Sequence, residues 1–287
     1  APVAWMFAKA FWDAGVPKEA LQVIITRREA LKVLTTAPAI KHIILTGGTD
    51  TAQNIAKANP TTPLSAETGG KNVIILTASG DRDHAIMNIV TSAFGNAGQK
   101  CSACSLLLVE RSVYEDENFR SKLKDAATSL KTGSVWNAGN IVGPMITNKN
   151  DKLLQAFNLE PGESWLVPPR FIDRREYILA PTVKWGVKPE SFSFRTELFG
   201  PLLSVACIEN LEEGIRLVNG LDYGLTSGLQ SLDEKEQKLW KNSVMAGNLY
   251  INRGITGAIV NRQPFGGMKL SAFGGGIKAG GPNYCTC

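Results

Sequence analysis

The stretch His42-Ile43-Ile44-Leu45-Thr46-Gly47-Gly48-Thr49-Asp50 passes from an apolar strand, His42–Leu45, through two glycines into a helix over Asp50–Ala58. Strand, glycine turn and helix form the repeating unit of a doubly wound parallel sheet. The preceding segments carry the same alternation. Residues 2–13 read as a helix with apolar Val3, Met6, Phe7, Ala10 and Phe11, stopped by Gly15 and Pro17. Leu21–Ile25 reads as a short strand and Ala30–Leu34 as a helix. A sheet of this type begins with a strand, and two strands are too few to cover these helices, so the opening half of the sheet is expected upstream of Ala1. The chain starts without Met, and no basic n-region or cleavage motif is visible, so no signal peptide is expected. A processed or engineered start and a start inside a domain both fit, and the incomplete sheet favours the second.

Downstream, Val73–Leu76 reads as a strand and Asp83–Phe94 as a helix with a stripe of Ile86, Ile89, Val90, Ala93 and Phe94. Gly95-Asn96-Ala97-Gly98 stops that helix. Strands are expected at Leu106–Val109, Thr182–Trp185, Leu202–Cys207 and Gly247–Ile251, and helices at Asn118–Leu130, Leu211–Val218 and Glu234–Trp240. Pro161–Pro169 reads as a loop, and Arg253–Cys287 as Gly-rich and irregular. A domain boundary is expected near Glu67–Gly70.

The bulk numbers exclude several classes. A chain of 287 residues that is 44% hydrophobic can bury a large core. No apolar run reaches the length of a membrane span. The net charge of +5 comes from 31 basic and 26 acidic residues that are dispersed, which gives no case for nucleic acid. Five cysteines, Cys101, Cys104, Cys207, Cys285 and Cys287, fit a reducing compartment better than a disulfide scaffold. The two histidines, His42 and His84, lie far from any cysteine, which argues against a Cys/His zinc site and leaves few Cys-His or Ser-His pairs.

Certain segments carry chemistry. In the Thr46–Asp50 turn, Gly47, Gly48 and Thr49 let the backbone approach a ligand at a helix N-terminus, which suits a pyrophosphate; most such turns are only tight turns. In Gly98-Gln99-Lys100-Cys101-Ser102 a thiol follows a helix stop, and Lys100 and the backbone N–H groups are placed to favour the thiolate. A small buried cysteine is the commoner fate of that residue. Cys101 and Cys104 have redox-motif spacing, but no second pair supports a metal. With histidine scarce, Glu67 in Glu67-Thr68-Gly69-Gly70-Lys71-Asn72 and Glu197 in Glu197-Leu198-Phe199-Gly200-Pro201 are the candidate proton acceptors. By residue type alone each reads more readily as a capping or surface carboxylate.

Taken in order, the strand–TGGT–helix, ETGGKN, GQKCS, ELFGP and QPFGG motifs resemble the aldehyde dehydrogenase superfamily, across essentially the whole chain and starting partway into that family's cofactor domain. Residues 255–260, 262–267 and 278–284 resemble the 1-pyrroline-5-carboxylate, or glutamate γ-semialdehyde, dehydrogenases, which in bacteria are often fused to a proline dehydrogenase. The resemblance implies an α/β fold with a partial Rossmann-type cofactor domain over residues 1–68, an α/β catalytic domain over 69–256, and a substrate-anchor and return segment over 257–287. It implies Cys101 as nucleophile and Glu67 as general base. It places NAD, with NADP left open, on Gly47, Gly48, Thr49, Glu197 and Phe199. It implies that Ser102, Gly257 and Ala258 grip a substrate carboxylate and that Phe265 packs on its aliphatic chain. A carboxylate-bearing aldehyde, a proline dehydrogenase domain and further copies of the chain are the expected partners, and the cytoplasm, or the mitochondrial matrix in a eukaryote, the expected place. Two departures stand out: Gly48 occupies a position where the family more often has serine, and the oxyanion-hole asparagine and adenosine-ribose lysine would lie upstream. A dehydrogenase for another aldehyde and a non-catalytic assembly fragment are the rival readings.

Overall fold

The computed structural model describes residues 2–147, 149–259 and 262–274, apart from the Arg28 side chain. Its first sheet follows helices α1 (Pro2–Asp13) and α2 (Arg28–Thr35). Strand β1 (Ile43–Thr46) runs through the glycine turn into α3 (Thr49–Ala58), and β1 pairs in parallel with β2 (Leu64–Glu67). The far edge of β2 is taken by the antiparallel strand Ala272–Phe273, so part of the segment expected to be irregular is ordered into this sheet. The other edge of β1 is unpaired among the described residues, and Ile44 is 70% exposed there. Helix α1 likewise leaves Val3, Met6, Phe7 and Phe11 exposed.

The strand expected at Leu21–Ile25 does not form; Leu21 lies in a bend and the segment joins no ladder. Its Val and Ile content gives strand propensity, but that propensity measures fit to a pleated, half-buried surface. No described strand lies alongside to provide one.

The second sheet has seven strands: β3 (Asn72–Leu76), β4 (Cys104–Glu110), β5 (Ser164–Val167), β6 (Thr182–Trp185), β7 (Leu202–Ile208), β8 (Thr226–Gln230) and β9 (Asn248–Ile251). Their order is β9-β8-β3-β4-β7-β6-β5, all parallel except β5. Strands β3 and β4 are buried on both faces, which is why they read as continuous apolar runs. Ile74, Leu76, Leu107 and Val109 pack with the apolar sides of α4 (Arg82–Phe94) and α5 (Glu117–Ser129). Val73, Ile75, Leu106 and Leu108 pack with α6 (Leu211–Asn219) and α7 (Glu234–Ser243), where Trp240 is fully buried. Helix α4 starts where Asp81 accepts the His84 N–H at 3.0 Å, an N-cap that satisfies one of the free donors of the first turn.

In the second sheet two strands depart from the sequence expectation, as β2 does in the first, where no strand was expected at Leu64–Glu67. Pro161–Pro169 is not merely a loop, because Ser164–Val167 pairs antiparallel with β6 between the bracketing prolines. Strand β8 has no apolar signature because its Ser227 and Gly228 are buried in the sheet interior. A Cβ at Gly228 would lie 2.6 Å from Ile255 Cγ2, so only glycine lets that residue pack. Between β5 and β6 lies a fully buried ion pair, Lys184 Nζ to Glu163 Oε2 at 2.9 Å.

The sheets meet at Thr68–Lys71. Thr68 Oγ1 donates to the Leu270 carbonyl at 2.5 Å, Thr49 Oγ1 reaches the same carbonyl at 3.4 Å, and the Thr68 N–H bonds Ser271 O at 3.1 Å. The returning segment thereby ties the start of α3 to the link between the sheets. The 278–284 motif, Cys285, Cys287 and Val260 lie outside the described residues.

Candidate active site

The nucleophile loop leaves α4 through a turn in which Asn96, Ala97 and Gly98 have φ of 56°, 53° and 66°. At Gly98 a Cβ would sit 2.2 Å from the Gly200 carbonyl oxygen, so the loop before Cys101 packs backbone to backbone on the Glu197–Pro201 loop. That second loop is fixed by Asn150, whose Nδ2 donates to the Leu198 carbonyl at 2.7 Å.

Glu197 turns back toward the link between the sheets. Its Oε1 accepts the Gly70 N–H at 3.0 Å, and a Cβ on Gly69 would lie 2.1 Å from its Oε2. The paired glycines make room for this carboxylate. Burial pushes the Glu197 carboxyl above the usual carboxylate range, opposed by the Gly70 N–H and by nearby Lys152 and Lys71.

Between the two sheets lies a cavity of about 440 Å³ walled by Gly47, Gly48, Glu67, Cys101, Glu197 and Phe199 among others. Gly47 and Phe199, 152 positions apart in sequence, thus converge on one space. A second cavity, about 480 Å³, lies between α2 and α3, with Leu31, Ile55, Asp50 and Thr51 in its wall. The two flank the N-terminus of α3, whose N-cap Gly48 offers no side chain to cap it. Thr49 is buried, and its hydroxyl is turned to Leu270. Ser102, Gly257, Ala258 and Phe265 are not in the wall of the first cavity. Ser102 is buried, and Gly257 has φ of 84° with open space where a Cβ would be.

Burial pushes the Cys101 thiol above its ordinary value, and the Glu67 charge pushes it the same way. The N–H groups of Ser102 and Cys101 oppose both. The expectation that Lys100 helps is corrected: its side chain is exposed, and the groups that favour the thiolate are backbone N–H groups. Cys104 differs. It is fully buried, its Sγ donates to the Leu106 carbonyl at 3.4 Å, and its thiol is pushed up to about 12. Because Glu67 disfavours the thiolate, Glu67→Gln should speed iodoacetamide alkylation of Cys101 near neutral pH by about two- to five-fold. A slower reaction in that variant would show that Glu67 acts on the thiol as a base instead.

One buried lysine beside the Gly69–Gly70 link escapes the sequence reading. Lys71 is buried, its Nζ donates to the Ser105 carbonyl at 3.3 Å, and desolvation lowers it to about 7, partly offset by Cys104 and Glu197. A lysine directly after two glycines and before an apolar strand was the available signal. Among the described residues no group of His, Cys, Asp and Glu is placed to hold a metal ion, and no helix is long and apolar enough to cross a membrane.

Known proteins resemble this chain in sequence and fold. The chain is 32% identical to the 1-pyrroline-5-carboxylate dehydrogenase of Geobacillus kaustophilus over 98% of its own length and 56% of the relative's. It superposes on proline utilization A from Corynebacterium freiburgense with a TM-score of 0.93 and 42% identity, covering 98% of this chain and 29% of that one. It also superposes on a 1-pyrroline-5-carboxylate dehydrogenase from Thermus with bound NAD, with a TM-score of 0.89 and 30% identity, covering 97% of this chain and 55% of that one. The chain therefore spans about half the length of the curated relatives it matches. The family model for the aldehyde dehydrogenases matches residues 1–287, and the chain, α/β in fold and with cysteine and glutamates facing one cavity, belongs to the aldehyde dehydrogenase family.

Proposed function

We propose that the whole protein oxidises L-glutamate γ-semialdehyde to L-glutamate with NAD, in proline catabolism, and that this chain supplies the nucleophile. The observation that carries the reading is the single cavity shared by Cys101, Glu67, Glu197 and the glycine turn. The turn suits the cofactor: N–H groups and the positive end of the α3 dipole favour a pyrophosphate there. A dinucleotide seated on that N-terminus has room for one end in each flanking cavity, with Glu197 and Phe199 at the inner one. NAD, when bound, supplies the hydride acceptor.

Cys101 adds its sulfur to the aldehyde carbon, giving a thiohemiacetal. After oxidation of that carbon, the same sulfur holds the acyl group as a thioester. Glu67 takes a proton from the attacking water, the C–S bond breaks, and the thiolate of Cys101 is restored as the acid leaves. Splitting the reaction through a covalent intermediate replaces one hard step by two easier ones. Names of the similar proteins support the substrate and a proline dehydrogenase domain alongside. Further copies of the chain and a cytoplasmic setting belong to the same proposal.

The carboxylate grip is assigned to Ser102, Gly257 and Ala258, with Phe265 on the aliphatic chain. Losing one hydrogen bond to a charged group costs about 1.5–3 kcal/mol, roughly ten- to a hundred-fold. In the full-length protein, Ser102→Ala should therefore lower kcat/KM for glutamate semialdehyde by that factor and barely change it for a short uncharged aldehyde. Equal losses on both substrates would remove the carboxylate anchor.

A further inference from the structure

Beneath the nucleophile loop lies one side chain that the proposed chemistry does not use. Asn72 opens β3 and is buried. Its Nδ2 donates to the Cys101 carbonyl at 2.7 Å and to the Ala103 carbonyl at 2.9 Å, and its Oδ1 accepts the Thr226 N–H at 3.0 Å. Both donors of the amide are thus committed to the loop. The sheet is irregular at this point: Asn72 lies opposite Cys104 while Val73 lies opposite Leu106, so Ser105 is left over. Where the ladder slips, the side chain of Asn72 gives partners to loop carbonyls that the ladder does not serve. The cluster is closed on the third side by Gly70, where a Cβ would meet the Cys101 carbonyl oxygen at 2.6 Å and Asn72 Oδ1 at 2.7 Å.

A peptide group is planar and trans, so the C=O of Cys101 and the N–H of Ser102 point in opposite directions across one bond. Anchoring that carbonyl on Asn72 aims the Ser102 N–H the other way, and this N–H is one of the two that favour the thiolate. We propose that Asn72 is the positioning residue of the nucleophile: by holding the Cys101 carbonyl it fixes the Cys101–Ser102 peptide plane, and with it the direction of the Ser102 N–H beside the sulfur. The importance of this for catalysis rests on Cys101 being the nucleophile; the geometry itself does not.

Thr226 provides the contrast. Its Oγ1 donates to the Ser102 carbonyl at 3.4 Å. The N–H across that peptide belongs to Ala103 and bonds the Lys100 carbonyl at 2.9 Å, not the sulfur. Loss of the Thr226 hydroxyl loosens the loop without redirecting the donor on the thiolate.

The test is iodoacetamide alkylation of this chain as a function of pH, with the rate at Cys101 read by peptide mass spectrometry and that at Cys207 as an internal standard. Asn72→Ala should slow Cys101 roughly ten-fold near neutral pH and recover the full rate about one pH unit higher, with Cys207 unchanged. Thr226→Val should lower the thermal midpoint and leave the Cys101 profile in place. If Asn72→Ala fails to fold, Asn72→Ser carries the same expectation, since its hydroxyl is too short to serve both carbonyls. An unchanged Cys101 profile in a folded Asn72 variant, or the same displacement in the Thr226 variant, would overturn the proposal. No aldehyde or cofactor enters the measurement, so its failure is separate from a failure of the dehydrogenase reading, which NADH formation tests.

Discussion

Cys101→Ala in the full-length protein should reduce NADH formation by on the order of ten-thousand-fold or more, because no other group can form the acyl intermediate. Cys104→Ser should keep most of the rate. The two thiols lie three positions apart but in different surroundings. Cys101 faces the cavity with Glu67 and Glu197, while Cys104 is fully buried in β4 and its thiol is pushed up to about 12. A thiol of that kind is almost entirely protonated at physiological pH and has no path to a substrate. The same contrast should appear in the pH dependence. The Cys101 thiol lies above its ordinary value in the free protein, so thiolate-dependent alkylation should rise with pH through and beyond the usual cysteine range. Retention of activity in Cys101→Ala, measured as NADH absorbance under saturating aldehyde, would remove this cysteine from the mechanism.

The second large effect concerns stability. Lys184 and Glu163 form an ion pair with side chains 1% and 0% exposed. Lys184 Nζ also donates to the Asn158 carbonyl at 2.8 Å and stands 5.4 Å over the Trp165 ring. Glu163 Oε2 accepts a second bond from the Glu160 N–H at 2.8 Å, while Oε1 has no hydrogen-bond partner. Removing one member leaves a buried charge without its counterion. Glu163→Ala is therefore expected to destabilise the chain by about 3–5 kcal/mol, read from the denaturant midpoint at constant m. The double change Glu163→Leu with Lys184→Met should recover most of that loss, because apolar side chains of similar volume avoid the desolvation cost. A single-site loss under about 1 kcal/mol would mean that water reaches the pair after relaxation.

How much of this was legible in sequence depends on what each residue's role requires. Strands β3, β4 and β7 could be read because both of their faces are buried and every position except the terminal Asn72 and Glu110 is apolar or small. Strand β8 could not, since Gly228 is dictated by Ile255, a neighbour 27 positions away that no local pattern contains. Leu21–Ile25 shows the converse failure: strand-forming residues without a neighbouring strand. The order of the five motifs pointed to Cys101, Glu67 and Glu197, but the reason they share a cavity is tertiary. Gly98 packs on Gly200, and Gly69 makes space for Glu197. The charge effect expected of Lys100 equates adjacency in sequence with adjacency in space. Lys71, two positions from Gly69, gives no sign of its burial by residue type, because a lysine is rarely buried.

The antiparallel pairing of Ala272–Phe273 with β2 has a kinetic consequence. The Thr68–Leu270 hydrogen bond closes a loop of 202 residues, and all seven strands of the second sheet lie inside it. During synthesis β2 must therefore wait, one edge bare, until the residues near 270 have left the ribosome. By then the seven-stranded sheet has had most of its chain available for docking. Closure over so long a loop costs little more entropy than over one half its length, but it comes last. Amides of β2 that face Ala272–Phe273 should gain exchange protection only late in refolding, after those of β3 and β4, and the bare edge in that interval is where chains would pair with one another.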